Sequence, residues 1–241
     1  LKLRDNILRQ EIIIMKNKTK KYVTAAMLSA LSVILMYLCK VIPQISGFLQ
    51  YDAKDVPIAM GGFILGPSYS LIMSAVVTVF EFLFASSTGP IGLLMNFIST
   101  CSFCFMASLI YANNRKLSGA VSGLASGVVT MTALMLLWNC FITPFYMKIP
   151  REVVIGMLPT VFLPFNLCKG FINSGLILLL YRPLMGALSA ADLIENTHSK
   201  KKIVPIIIIG FALVLIFVPI LFCFGKVLPI NFMIFIKNFF F

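Results

Sequence analysis

Along this chain, polar and apolar residues fall into blocks rather than short alternations. A polar, basic stretch over residues 1–21 gives way to an apolar run from Tyr22 to Val41. A mixed segment, Ile42–Asp55, follows, then a short run (Val56–Leu65), a Gly66-Pro67-Ser68 turn and a longer run (Tyr69–Ala85). Ser86–Pro90 breaks the pattern before a fourth run, Ile91–Tyr111, and Asn113–Lys116 breaks it before a fifth, Leu117–Met147. Crossing a bilayer core takes about 20 apolar residues in a helix. Most of these runs reach that length, so the pattern predicts an all-α polytopic membrane protein. In the sixth region, Pro164 fits a helix start, where its missing N–H costs nothing, and Pro164–Pro183 then makes a span of the right length. Val153–Leu163 would form a lid or re-entrant piece above it, and Lys169 would lie about 8 Å from the outer end of the span. A seventh apolar run, Ile203–Phe224, precedes an aromatic tail to Phe241.

Composition agrees with this class. Of 241 residues, 60% are hydrophobic and 12% charged, where soluble domains carry about 25% charged residues. The net charge of +12 is then a statement about topology rather than nucleic acid. Basic residues cluster at Lys2, Arg4, Arg9, Lys16, Lys18, Lys20 and Lys21, at Arg115 and Lys116, and at Arg182 with Lys200, Lys201 and Lys202. By the positive-inside rule all three groups face the cytoplasm, and six crossings of the plasma membrane satisfy them. The expected organisation is a basic cytoplasmic N-terminus (1–21), a six-span membrane domain (22–188), a basic cytoplasmic loop (189–202) and an extra hydrophobic segment (203–241). Residues 1–21 are too charged for a signal peptide. Met15-Lys16-Asn17-Lys18 reads as a natural start, which would make residues 1–14 upstream translation.

The residue that demands a reason is Lys169, inside an apolar run. A lysine at the bilayer centre costs about 2.5–3.5 kcal/mol on insertion scales. Asn166, Lys169 and Asn173 are spaced i, i+3, i+7, so one helix face carries all three. Three readings compete: a ligand or pathway role, snorkelling to the surface, and pairing with a buried acid such as Glu81. Asn96, Asn139, Thr143 and Tyr146 add neutral polar groups toward the same membrane face, with Trp138, Phe145, Phe165, Phe48 and Tyr51 as aromatic surroundings. Amides can read the donor–acceptor edge of a heterocycle while aromatics cover its flat part, which suits a planar, mostly uncharged metabolite. Catalytic signatures are missing: the chain has no phosphate-binding glycine loop with lysine, no HExxH and no GxSxG. Cys101 and Cys104 form a lone CxxC with no second pair and no nearby histidine, which reads as small apolar filler rather than a metal site.

Two strings, Leu49-Gln50-Tyr51-Asp52-Ala53-Lys54-Asp55-Val56-Pro57 and Gly61-Gly62-Phe63-Ile64-Leu65-Gly66-Pro67, resemble the substrate-binding S components of energy-coupling factor (ECF) transporters. Ser87-Thr88-Gly89-Pro90-Ile91-Gly92 with Asn96-Phe97, and Phe165-Asn166-Leu167-Cys168-Lys169-Gly170, are similar to the riboflavin-specific branch. The resemblance runs from about Lys16 to Leu188. It implies six helices, riboflavin as transported ligand rather than cofactor, binding near the outer face, and a separate module of a T component and two ATPases. It implies ligand contacts at Asn139, Asn166 and Lys169, with Asn96 and the loop around Tyr51 less closely matched. The family's AxxxA docking motif matches Ala26-Met27-Leu28-Ser29-Ala30, a small-residue stripe that the spacing alone would equally assign to packing within the chain. Two departures stand out: Leu93 replaces an acid of the family pattern, and the run after Ile203 exceeds six helices. An S component for another vitamin or a flavin nucleotide, and a membrane-embedded enzyme, are the rival readings.

Overall fold

A computed structural model describes residues 2–42, 49–85, 89–191, 193 and 207–221, with side chains from Lys18 onward except Ala85 and Ser189. The described residues form helices and no strand. In chain order these are α1 (Lys2–Cys39), α2 (Asp55–Leu65), α3 (Pro67–Ala85), α4 (Gly89–Asn113), α5 (Leu117–Met147), α6 (Arg151–Met157), α7 (Leu163–Ala190) and α8 (Ile207–Leu221). Five helical stretches are long and apolar enough to cross a membrane: 18–39, 67–84, 89–113, 117–147 and 151–188.

The short helix α2 is the centre of the bundle. Its 11 residues rise only about 16 Å, too little to cross alone. Asp55 through Phe63 are buried on every face, so α2 is a core helix hydrophobic all round, enclosed by α1, α3, α4 and α7. It ends at Gly66, whose φ of 111° is open to glycine and costly for other residues. Pro67 then starts α3 at once.

Close packing follows the small residues. A side chain at Gly123 would meet the Ala107 carbonyl oxygen at 2.6 Å, and one at Gly127 the Phe103 carbonyl oxygen at 2.7 Å. The glycine seam of α5 thus lets α4 approach backbone to backbone. Several buried hydroxyls donate to the carbonyl four residues back, as Ser74 does to Ser70 and Ser174 to Gly170. Large apolar side chains such as Ile72, Val76, Leu83 and Phe84 on α3 remain exposed, a surface suited to lipid tails.

The sixth region differs from the expected register. α6 and α7 form one continuous helix, Arg151–Leu188, joined by a π turn over Leu158–Phe162. Val153–Leu163 is therefore not a separate lid. The reason lies in the two prolines. A proline inside an α-helix clashes with the carbonyl four residues back and lacks an N–H. A π turn widens the ladder locally, with the Leu163 N–H reaching Leu158 O, and the helix continues past Pro159 and Pro164. Lys169 consequently lies some 18 residues, or about 27 Å, from the helix start at Arg151, not one short step from its outer end.

Candidate functional site

Lys169 is affordable because the loop before α2 folds inward and brings acids to it. Within the mixed segment Ile42–Asp55, residues 49 and 51–54 are buried. Lys169 Nζ lies 3.1 Å from Asp52 Oδ2 and 3.6 Å from Asp55 Oδ2. Glu81 is not its partner: the fully buried Lys54 ammonium takes Glu81 in a direct ion pair and stands 3.9 Å from Asp52 Oδ2. Snorkelling is excluded by the same geometry, since Lys169 is 5% exposed and ends on carboxylates inside the bundle.

Neutral donors complete the cluster. Thr100 Oγ1 donates to Asp55 Oδ1 at 2.7 Å, and Asn96 Nδ2 donates to Glu81 Oε1 at 2.8 Å, both from α4. From α7, Asn173 Nδ2 donates to Asp55 Oδ2 at 3.2 Å, while its own carbonyl oxygen accepts the Tyr51 hydroxyl at 2.7 Å. Three carboxylates face two ammoniums, leaving one negative charge in excess. Burial alone would raise the Asp52 carboxyl, but the Lys169 and Lys54 charges outweigh it and hold it below its ordinary value. Lys54 shows the converse: burial would lower it, while Asp52 and Glu81 hold it above its ordinary range. One oxygen of the cluster, Asp52 Oδ1, is buried without a hydrogen-bond partner among the described residues.

A second polar group sits on α5 and α7 beyond this cluster. Asn139 Nδ2 donates to Met135 O at 2.7 Å and its carbonyl oxygen accepts Thr143 Oγ1 at 2.8 Å. Asn166 Nδ2 donates to Phe162 O at 2.7 Å, a carbonyl of the π turn. Each amide has two N–H donors and an acceptor oxygen, so using one N–H on its own helix leaves capacity for a ligand. α5 and α7 pack together where Gly170 meets Val128 and Met131, and the chain reverses between them. That register sets Asn139 about one and a half turns from Asn166, toward the end of the bundle where α5 gives way to α6.

The expected site residues thus divide. Asn139, Thr143 and Asn166 are buried on α5 and α7, and Lys169 and Tyr51 are buried in or beside the charge cluster. Asn96 also belongs to the charge cluster, through Glu81, rather than to the amides. Tyr146 is 44% exposed at the end of α5, and Phe48 lies outside the described residues. Ala26 and Ala30 are exposed on α1. What sequence reasoning missed is the pairing of Asp52 and Asp55 with Lys169. The signal was present in Asp52-Ala53-Lys54-Asp55, charges concentrated at the start of an otherwise apolar helix. Among the described residues no group of three His, Cys, Asp or Glu side chains is placed to hold a metal ion.

Comparisons with known proteins agree with this architecture. The family model of the ECF transporter substrate-specific component matches residues 20–181. The riboflavin transporter RibU of Staphylococcus aureus (strain TCH60) is 31% identical over 173 residues, 69% of this chain and 91% of that protein. RibU of Streptococcus thermophilus (strain ATCC BAA-250 / LMG 18311) is 27% identical over 180 residues, 70% of this chain and 85% of that protein. A solved structure described as the S component of a bacterial ECF transporter is similar with a TM-score of 0.60 and 30% identity, over 71% of this chain and 98% of its own. These relatives are transporter subunits, not enzymes. With its membrane-length helices and a family match running from α1 into α7, the chain belongs to the substrate-specific (S) components of ECF transporters.

Proposed function

We propose that this S component captures riboflavin near the extracellular face and delivers it with a T component and two ATPases. The observation that carries a ligand site at Lys169 is Asp52 Oδ1. It is a buried carboxylate oxygen that takes no hydrogen bond among the described residues, in a cluster one positive charge short. Buried acceptors are normally satisfied, and an N–H or hydroxyl of a bound ligand would satisfy this one. Asn166 and Asn139 supply amide donors and acceptors outward of it, and Phe165 and Trp138 supply aromatic surface nearby in sequence. Riboflavin fits that chemistry, with a flat ring system that has a donor–acceptor edge and a hydroxylated chain. The names of the two curated relatives support the same choice.

Exposure of Ala26 and Ala30 supports docking of α1 against a T component, because small residues let a partner helix approach closely. The basic groups on the N-terminus and on the α4–α5 turn support a cytoplasmic N-terminus. The test is the absorbance spectrum of ligand that co-purifies with the protein, followed by titration of flavin fluorescence quenching in detergent. A flavin spectrum and saturable quenching are expected. A co-purified ligand without flavin bands, with no quenching by riboflavin, would overturn the substrate.

A further inference from the structure

Outside the residues matched by the family model lies α8, and it does not lie loose. It packs against α7 through a reciprocal glycine contact: a side chain at Gly175 would meet the Gly210 carbonyl oxygen at 2.8 Å, and one at Gly210 would meet the Gly175 carbonyl oxygen at 2.8 Å. Around that point Gly175 faces Val214 and Leu213, while Gly210 faces Leu179. Farther along, the rings of Phe171 and Phe217 stack with centroids 4.6 Å apart. Descending α7 from Leu179 to Phe171 therefore ascends α8 from Gly210 to Phe217, so the two helices run antiparallel. Continued one turn, this register brings the buried Leu221 level with about Leu167, beside Asn166.

The position on α7 gives α8 its meaning. Phe171 and Gly175 are each two residues from Lys169 and Asn173, about 200° around the helix. α8 thus backs α7 on the side opposite Asp52 and Asp55. Just upstream, α7 enters through the π turn and Pro164, where the regular hydrogen-bond ladder is interrupted. A helix weakened at that point needs support from behind if Asn166 and Lys169 are to hold their places.

We propose that α8 is a brace for ligand capture, and that Gly175 and Gly210 are positioning residues that hold the Lys169–Asn173 face against Asp52 and Asp55. The proposal rests on the reading of that face as the riboflavin site. The test uses the full chain in detergent, with Gly210→Leu against Gly186→Leu; Gly186 is a control on α7 with nothing within 4 Å of its would-be side chain. A cysteine pair at positions 171 and 217, joined by a short thiol crosslinker, reports whether α8 is docked. Gly210→Leu is expected to abolish the crosslink, speed amide exchange over residues 166–175 and raise the riboflavin Kd about tenfold. Gly186→Leu should change none of these. Loss of the crosslink with unchanged exchange, or faster exchange with unchanged Kd, would overturn the brace, as would a crosslink that survives Gly210→Leu. If the unaltered chain binds no riboflavin, the ligand reading fails, and the exchange data still decide whether α8 holds α7. Should Gly210→Leu fail to fold, a chain cut after Lys202 gives the same comparison.

Discussion

Lys169 combines two roles that mutation can separate. It is an ion-pair partner of Asp52 and Asp55 inside the bundle, and it lies on the face proposed to bind riboflavin. Removing one partner of a buried pair strands the other, at a typical cost of about 3–5 kcal/mol. Lys169→Ala should therefore lower the melting temperature even without ligand, and Asp52→Asn in the same chain should restore part of the loss. An additive double variant would show that the two side chains are not coupled. Asn166→Ala differs, because among the described residues that amide bonds only to its own helix. It should weaken flavin binding by about 1–3 kcal/mol with little change in melting temperature, measured by quenching titration and thermal unfolding side by side. The charge cluster also sets a pH window. Asp52 is held below its ordinary 3.8, so its stabilisation is present above that value and lost as pH falls through the depressed one. Lys54 is held above its ordinary 10.5, so its stabilisation is present below that value and lost as pH rises through the raised one. Melting temperature should be flat between about pH 5 and 9 and fall below about pH 4, with the acid-side fall reduced in Asp52→Asn.

Among the elements, the π turn and α1 are the most informative. A π turn carries one residue more than the α ladder needs. Deleting the exposed Thr160 keeps the faces above and below in register but drives the ladder toward regular α, where the proline rings meet the carbonyls four residues back. Deleting Leu176 from regular α7 would instead rotate everything after it by about 100°. The expected result is lowered thermal stability for the Thr160 deletion, recovery when Pro159→Ala and Pro164→Ala are added to it, and aggregation for the Leu176 deletion, read by thermal unfolding and size-exclusion chromatography; a Thr160 deletion equally stable with and without the prolines would refute the account of Pro159 and Pro164. For α1, Ala26 and Ala30 are exposed among the described residues. Ala30→Trp should leave riboflavin affinity intact while abolishing uptake by cells. A joint loss of binding and uptake would mean that this face is needed for the fold itself.

For the molecule as a whole, the question is release. At a nanomolar Kd the bound ligand lies about 12 kcal/mol below the free state, and a chain that captures tightly cannot by itself deliver. The sequence carries no nucleotide-binding loop, and the buried charges are tied up with one another. Vesicles holding this chain alone should bind riboflavin without accumulating it. Adding a T component and both ATPases with internal ATP should start accumulation, and a non-hydrolysable analogue should stop repeated turnover. Concentrative uptake by the lone chain on a proton or sodium gradient would instead make it a secondary carrier.

Much of this was legible in the linear chain. Apolar runs of bilayer length have few alternatives in lipid, where every backbone group must be paired within its own helix, so the run lengths alone determined an all-α bundle. The i, i+3, i+7 spacing of Asn166, Lys169 and Asn173 put them on one face, because helical periodicity is local. Gly119, Gly123 and Gly127, four residues apart, mark a close approach in the sequence too, though not that α4 fills it. Tertiary structure alone decided what that face meets. Asp52 and Lys169 are 117 residues apart, and nothing local tells a lysine whether its carboxylate comes from Glu81 or from a loop folded inward. Only packing could settle Pro164 as well: its ring is compatible with a helix start or with a widened turn, and the neighbours decide whether the chain continues. The same holds for α8, whose apolar sequence suits lipid or protein equally. Its place behind Lys169 depends on two glycines, Gly175 and Gly210, that have no reason to meet until the bundle brings them within touching distance.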